Sequence, residues 1–265
     1  MVIVIYRYGQ YSNRLFQDMR IRTFCRKHKI RCWNLDMSDM EKYFEIPKTP
    51  LPLILLGTII RAILKVMRIF RFDPVLHSGV VYNEECVEKA KRFGVHLVDG
   101  WGIYDSDEEK NSLDIIRKRY HLKPQYYMNN PLYLQMQKWK QQGIMLVGVH
   151  IRRRDYRDWC NGIYFYEDAV YERWISQIRT LYEGKALKFI IFSDEPCGIS
   201  ADDIIISHES WYVDQFLLGM TDICFGPPST FRGWAVFIYG NKTLDMFNKE
   251  MNIDDRSKFT PFVSR

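Results

Sequence analysis

The chain has little of what would tie it to metals, disulfides or a membrane span. Its six cysteines, Cys25, Cys32, Cys86, Cys160, Cys197 and Cys224, include no Cys-x-x-Cys pair. That removes the usual spacing of a structural zinc site and leaves no dense disulfide framework. Reduced thiols in a cytosol-like compartment are therefore expected. There is no lysine-rich tail and no low-complexity basic arm, although the net charge is +6 and the pI about 8.9. Such a surplus favours anionic partners, whether a sugar nucleotide, an anionic lipid surface or nucleic acid, and the missing arm weighs against the last. No basic n-region or small-residue cleavage site accompanies the apolar residues 2–6, which read as a first strand and not a signal peptide. The uncharged apolar run 51–60 is too short to span a bilayer. No fixed-period repeat is present.

What is present is a chain of 265 residues, 47% hydrophobic and 15% aromatic, long enough for one large or two modest cored domains. Strand 2–6, a turn at 7–13, a helix from Arg14 to about His28 and a short strand at 30–34 make a β-turn-α-β start. A strand at 95–98 and a helix at 108–120 follow. Pro124 and Pro131 then break the periodicity. Beyond them come helix 132–142, strand 144–151, helix 166–181, strands 189–192 and 204–206, helix 211–220, strand 223–225 and helix 231–239. The expectation is an α/β protein of two domains, residues 1–143 and 144–265, with a seam near 125–143.

Segment 51–72 carries Arg61, Lys65, Arg68 and Arg71 at spacings of four, three and three, which place the cations on one helical face. Such a helix either packs with its charged stripe toward water or lies on an anionic membrane surface.

Chemistry gathers at the ends of strands. Residues 147–156, Val-Gly-Val-His-Ile-Arg-Arg-Arg-Asp-Tyr, form an apolar strand that stops at His150, three arginines and Asp155. In α/β sheets ligands sit beyond the carboxyl ends of buried parallel strands. The planar, permanently ionised arginine fork suits a diphosphate. A solvated turn or a nucleic-acid patch remains the plain alternative. Gly9 to Asn13 follows the first strand, where glycine permits close approach of backbone to a ligand and the next helix offers its N-terminus; by itself it is also an ordinary turn. Ser193-Asp194-Glu195-Pro196 follows an apolar strand and reads as a site or as a helix cap. Asp214 lies on a helix, and Ser229-Thr230 open another, as phosphate-binding groups or as an N-cap.

Together Gly-Gln-Tyr-Ser-Asn-Arg-Leu-Phe-Gln, His-Ile-Arg-Arg-Arg-Asp-Tyr, Phe-Ser-Asp-Glu and Ser-Thr-Phe-Arg-Gly-Trp-Ala, in this order over residues 9–235, resemble the motifs of the α-1,2-fucosyltransferase family and its wider superfamily. The resemblance implies a GT-B-like fold of two Rossmann-like halves facing a cleft. It implies an acceptor-side N-terminal domain, a nucleotide-sugar-binding C-terminal domain, and inverting transfer of L-fucose from GDP-fucose to a glycan hydroxyl with no cofactor and no metal. By the same resemblance Arg152 contacts the pyrophosphate and Arg153 supports it or shapes the pocket. His150 and Asp214 match guanine-recognition positions, Ser229 and Thr230 a phosphate turn, and Gly9 with Asn13 a loop closing over the donor. Asp155 is a catalytic candidate, as general base or as a partner holding the arginines, and Asp194 is a donor-side candidate. The chain departs from the family pattern at Ser12, at Arg154 and at Pro227-Pro228, which leaves other donors open.

Two further readings remain. Asp105 and Asp107 have the Asp-x-Asp spacing of a metal-dependent glycosyltransferase, although the acidic run 107–109 equally favours a helix N-terminus. A basic nucleic-acid-binding protein would use 152–154 and the cations of 61–71, but no ordered stacking motif accompanies them. The expected partners are thus a nucleotide sugar and a glycan acceptor, with peripheral membrane contact through 51–72 and no nucleic acid.

Overall fold

The computed structural model describes residues 1–6, 9–75, 96–98 and 105–262. They form two compact units, Met1–His121 and Leu122–Arg265. Residues 122–143, assigned above to the first domain, belong to the second unit, because the helix they contain packs on that unit's first strand.

The first unit consists of β1 (Val2–Val4), α1 (Tyr11–Lys27), β2 (Cys32–Asn34), α2 (Leu51–Ile69), β3 (His96–Val98), α3 (Ser106–Asn111) and α4 (Leu113–Tyr120). Its sheet is parallel, ordered β2-β1-β3. The central strand is apolar at every position because both of its faces are covered. Helix α1 starts three residues before the expected Arg14. Gly9 takes a left-handed φ of 64°, and the carbonyl of Gln10 then accepts the amide of Arg14 at 3.1 Å. The helix expected over 108–120 is two helices, α3 and α4, meeting at Ser112. Asp105 caps α3, accepting the amide of Glu108 at 2.9 Å, and also pairs with Lys27. The cap therefore accounts for this acidic run.

The second unit consists of α5 (Pro131–Gln141), β4 (Met145–Ile151), α6 (Asp168–Leu181), β5 (Leu187–Ser193), β6 (Ile204–Ile206), α7 (Trp211–Gly219), β7 (Ile223–Gly226), α8 (Thr230–Tyr239), β8 (Lys242–Asp245) and β9 (Thr260–Pro261). Its sheet runs β6-β5-β4-β7-β8-β9, parallel except where β9 returns antiparallel to β8. The chain winds outward from β4 through β5 to β6, then returns to the other side of β4 and continues through β7 and β8. The winding direction thus reverses between β4 and β7, and in doubly wound sheets the crevice at such a point receives the ligand. Strands β8 and β9 escape sequence reading because Lys242-Thr-Leu-Asp245 and Thr260-Pro261 lack the apolar run that marks the equally short β6 and β7.

The core of this unit lies under β4, β5 and β7. Trp174 of α6 is fully buried there and donates its indole N–H to the Met251 carbonyl at 2.7 Å, as a buried indole requires. Among the described residues no helix is long and apolar enough to cross a membrane, and the five described cysteines are free thiols.

Candidate active site

Three strand ends build the site in the second unit. At the end of β4, His150 is buried with its ring stacked on Phe231 of α8, centroids 5.3 Å apart. Burial, followed by the charges of Arg232 and Arg152, holds its pKa well below the ordinary histidine value, so the ring is neutral. Its Nδ1 has no hydrogen-bond partner.

The three arginines that follow are not equivalent. Arg152 is partly open and sits between two carboxylates, Asp155 at 2.6 Å and Asp194 at 2.9 Å, the latter close enough for an ion pair but off the line of a good hydrogen bond. Arg153 is buried and turned inward, donating to Asp168 and, at 3.3 Å, to the Pro196 carbonyl. Arg154 is exposed and donates to the Asp194 carbonyl at 2.9 Å.

Asp194, at the end of β5, also accepts the backbone amide of Arg153 at 2.8 Å, which fixes the β4 end against the β5 end. Burial raises its carboxyl pKa against the opposing pull of Arg152 and that amide. Arg157 pairs with Glu195. Arg152, Arg153, Arg154 and Arg157 are thus set against Asp155, Asp168, Asp194 and Glu195, four cations and four carboxylates. The sequence shows three adjacent cations with Asp155 beside them, and folding adds counterions from two other segments, the end of β5 and the start of α6.

At the end of β7, Gly226 passes so close to β4 that a Cβ would lie 2.2 Å from the His150 carbonyl oxygen. After Pro227 and Pro228, Ser229 caps α8, its hydroxyl accepting the amide of Phe231 at 3.2 Å, and Thr230 is exposed on the first turn. The cap reading of Ser229 is therefore realised, at the place where a helix N-terminus meets the switch point.

Asp214 lies in the first turn of α7, accepting from the Ser207 hydroxyl at 2.5 Å. Burial pushes its pKa up to about 7 despite that hydrogen bond, and nearby Glu209 adds to the rise. Gly9 and Asn13 belong to the first unit, where Asn13 falls in the first turn of α1 and Gly9 is exposed.

Three residues of the site were given no role in the sequence reading, two of them, Tyr156 and Arg232, within the quoted motifs. Asp168 opens α6, accepts the Gly198 amide at 2.8 Å and holds Arg153. Tyr156 lies beneath Arg152, its ring centre 5.7 Å from the guanidinium carbon, and donates its hydroxyl to the Pro228 carbonyl at 2.5 Å. Arg232 is fully buried on α8, pairs with Asp245, and keeps Nε and Nη1 without hydrogen-bond partners. An arginine inside the otherwise apolar helix 230–239 was the available signal for the last.

Two α/β units, the second in doubly wound order with arginines at its switch point, define a doubly wound α/β class of fold, in which ligands sit at that point. No protein-family model matches the chain, and no curated protein does. Among solved structures, however, the chain aligns over nearly its full length with fucosyltransferases of GT-B architecture. The selenomethionine structure of fucosyltransferase NodZ from Bradyrhizobium matches with a TM-score of 0.54 at 12% identity, over 94% of this chain and 96% of that one. NodZ α-1,6-fucosyltransferase soaked with GDP-fucose gives 0.52 at 12% identity, over 97% and 96%. A mutant of Arabidopsis thaliana FUT1 in complex with GDP gives 0.52 at 12% identity, over 94% and 71%. These similarities establish the α/β, GT-B-like fold expected from the sequence.

Proposed function

We propose that the chain is an inverting glycosyltransferase that moves L-fucose from GDP-fucose to a glycan hydroxyl. One observation carries the reading: Arg152, Arg232 and the capped N-terminus of α8 converge on the switch point between β4 and β7. Supporting it, fold neighbours were solved with GDP-fucose or GDP. As the bond to the sugar breaks, negative charge gathers on the departing diphosphate, and preplaced cations lower the barrier there without a metal. Asp194, buried, holds Arg152 in orientation. Asp155 is half exposed, and such an ion pair contributes only about 0–1 kcal/mol. A phosphate oxygen, gripped in pairs by the same fork, replaces it at little cost. Arg153 shapes the site from behind through Asp168. Asp214 accepts from the guanine edge, neutral His150 contributes to the same base site, and Ser229 with Thr230 meets a phosphate.

Replacing Arg152→Ala tests this. Transfer from radiolabelled GDP-fucose to a glycan mixture is expected to fall by on the order of 10²–10³ with the circular dichroism spectrum unchanged. Unaltered turnover refutes the assignment, and faster transfer from UDP- or CMP-sugars moves the donor to another class.

We also propose that α2 rests on an anionic membrane surface. Leu51, Leu55, Ile59, Ile63, Val66 and Ile69 share one side of the helix and are each 53–74% exposed. The opposite side packs inward through Gly57 and Leu64. Arg61, expected in the water-facing stripe, turns inward and donates to the carbonyls of Ile5 at 2.8 Å and Leu35 at 3.3 Å. Lys65 and Arg71 are exposed and have no ion-pair partner among the described residues. An apolar stripe bordered by exposed cations is the pattern of an interfacial helix at anionic lipid.

A further inference from the structure

A row of aromatic rings runs outward from Arg152, and the donor chemistry above leaves it unused. The Tyr156 ring under Arg152 is followed by Trp159 at 4.9 Å between centroids, and Trp159 by Tyr164 at 5.3 Å, with interplanar angles of 37° and 31°. Tyr156 is buried and tied to Pro228, but Trp159 is 45% exposed and its neighbour Ile163 is 57% exposed.

The backbone holds this display in an unusual way. Cys160, Asn161 and Gly162 take left-handed φ values of 51°, 57° and 73° in succession. Asparagine and glycine tolerate that region, whereas cysteine enters it only when its surroundings compel it. Arg157 supplies part of the compulsion. Its amide donates to the Arg153 carbonyl at 3.1 Å, its guanidinium pairs with Glu195, and its carbon lies 4.9 Å from the centre of the Phe165 ring. The amide of Phe165 closes the loop on the Gly162 carbonyl at 3.0 Å. The indole is thereby presented to solvent, 45% exposed, from a loop pinned by these contacts.

We propose that Trp159, backed by Tyr164, is a stacking platform for a pyranose ring of the acceptor. The inference rests on the reading of the neighbouring site as a glycosyl-transfer centre. A pyranose has an apolar C–H face and a polar rim. The indole face offers matching apolar area with negative quadrupolar charge toward the C–H groups, at little conformational cost. Asp158, just before the indole, and Asn161, two residues after it, are both exposed and supply an acceptor and a mixed donor–acceptor for rim hydroxyls. The platform begins two ring spacings from Arg152, a distance that one or two sugar units cover. A purine has a π-face as well, so the nucleobase is the competing occupant.

The test compares the full chain with its Trp159→Ala and Trp159→Phe variants on a glycan array, with GDP binding by calorimetry and GDP-fucose hydrolysis in water measured in parallel. The expected result is that the wild type retains a defined glycan set, Trp159→Ala loses it by at least about tenfold, and Trp159→Phe keeps most of it. GDP affinity and hydrolysis are expected to be the same in all three. An identical array pattern for Trp159→Ala, no glycan retained by the wild type, or a fall in GDP affinity in Trp159→Ala each overturns the platform. A wild type that retains glycans through Trp159 yet binds no GDP and hydrolyses no GDP-fucose instead removes the transferase reading, so the two failures are separable.

Discussion

At the scale of single residues, Asp214 carries the clearest pH signature. Burial lifts its pKa to about 7, above the ordinary carboxylate value of 3.8. Between those values the native state holds a proton that the unfolded chain has released, so Asp214 makes native stability fall as pH rises through that window. Guanine presents N–H donors, which an ionised carboxylate accepts and a protonated one accepts poorly. GDP binding is therefore expected to be full above pH 7 and to weaken by up to tenfold per unit as pH falls below it. Asp214→Asn is expected to flatten that dependence and to be more stable than the wild type near pH 7 without ligand. Titration calorimetry from pH 5.5 to 8.5 decides it, and a GDP affinity independent of pH in the wild type removes Asp214 from base recognition. The arginines show where residue-level reading stops. By residue type alone Arg152, Arg153 and Arg154 are interchangeable, and in the sequence only the resemblance tells them apart; in the folded chain, which brings Asp168 from α6 and Asp194 from β5, Arg153 turns inward and Arg152 stays at the front.

At the scale of elements, legibility followed the strength of the local signal. Strand β4 announces itself by an apolar run ending in charge, and α7 and α8 by their apolar periods, all three lying within one residue of their expected bounds. Serine and aspartate read equally well as caps or ligands, and at Ser229 and Asp105 they act as caps. Helix α2 was found in place, and of its four expected face cations only Arg61 departs, turning inward. It is apolar on two sides, and a sequence period cannot say which of two apolar stripes meets the core, nor that Arg61 bridges two backbone carbonyls within its own unit. The outer stripe leads to a prediction. The protein is expected to float with vesicles containing phosphatidylserine, less with phosphatidylcholine alone and less at high salt. The double variant Leu55→Glu, Ile63→Glu is expected to stay in the pellet fraction with its helix content unchanged, because both positions face outward. Flotation that persists in the double variant, or none in the wild type, defeats the membrane assignment. Light scattering that shows a dimer dispersed by the same substitutions gives the stripe to a second copy of the chain.

At the scale of the whole molecule, the chain is two cored units, and only one contains the arginine site. The hydrophobic clusters divide accordingly, one around Val2, Ile21 and Val98 and another around Ile5, Leu35 and Leu64 in the first unit, with the large one around Trp174 and Phe225 in the second. A ligand that binds only the native second unit stabilises that unit by mass action, about 2.7 kcal/mol at a concentration one hundred times its Kd. For a unit of this size the corresponding rise in melting temperature is roughly 5–10 °C. GDP is therefore expected to shift the calorimetric transition of the second unit by that amount, UDP and CMP by much less, and Arg152→Ala to lose most of the GDP shift. Hydrogen exchange measured alongside is expected to slow at the carboxyl ends of β4 and β7 and in the first turn of α8, where the amides of the switch point lie. It also decides the standing of Gly9 and Asn13: if their turn joins the donor as the resemblance implies, exchange over 9–13 slows on the same GDP titration, and an unchanged rate there confines donor binding to the second unit. Equal shifts for all three nucleotides, or protection confined to surfaces away from β4 and β7, would show that the arginines at the strand end are counterions to their neighbouring carboxylates and nothing more.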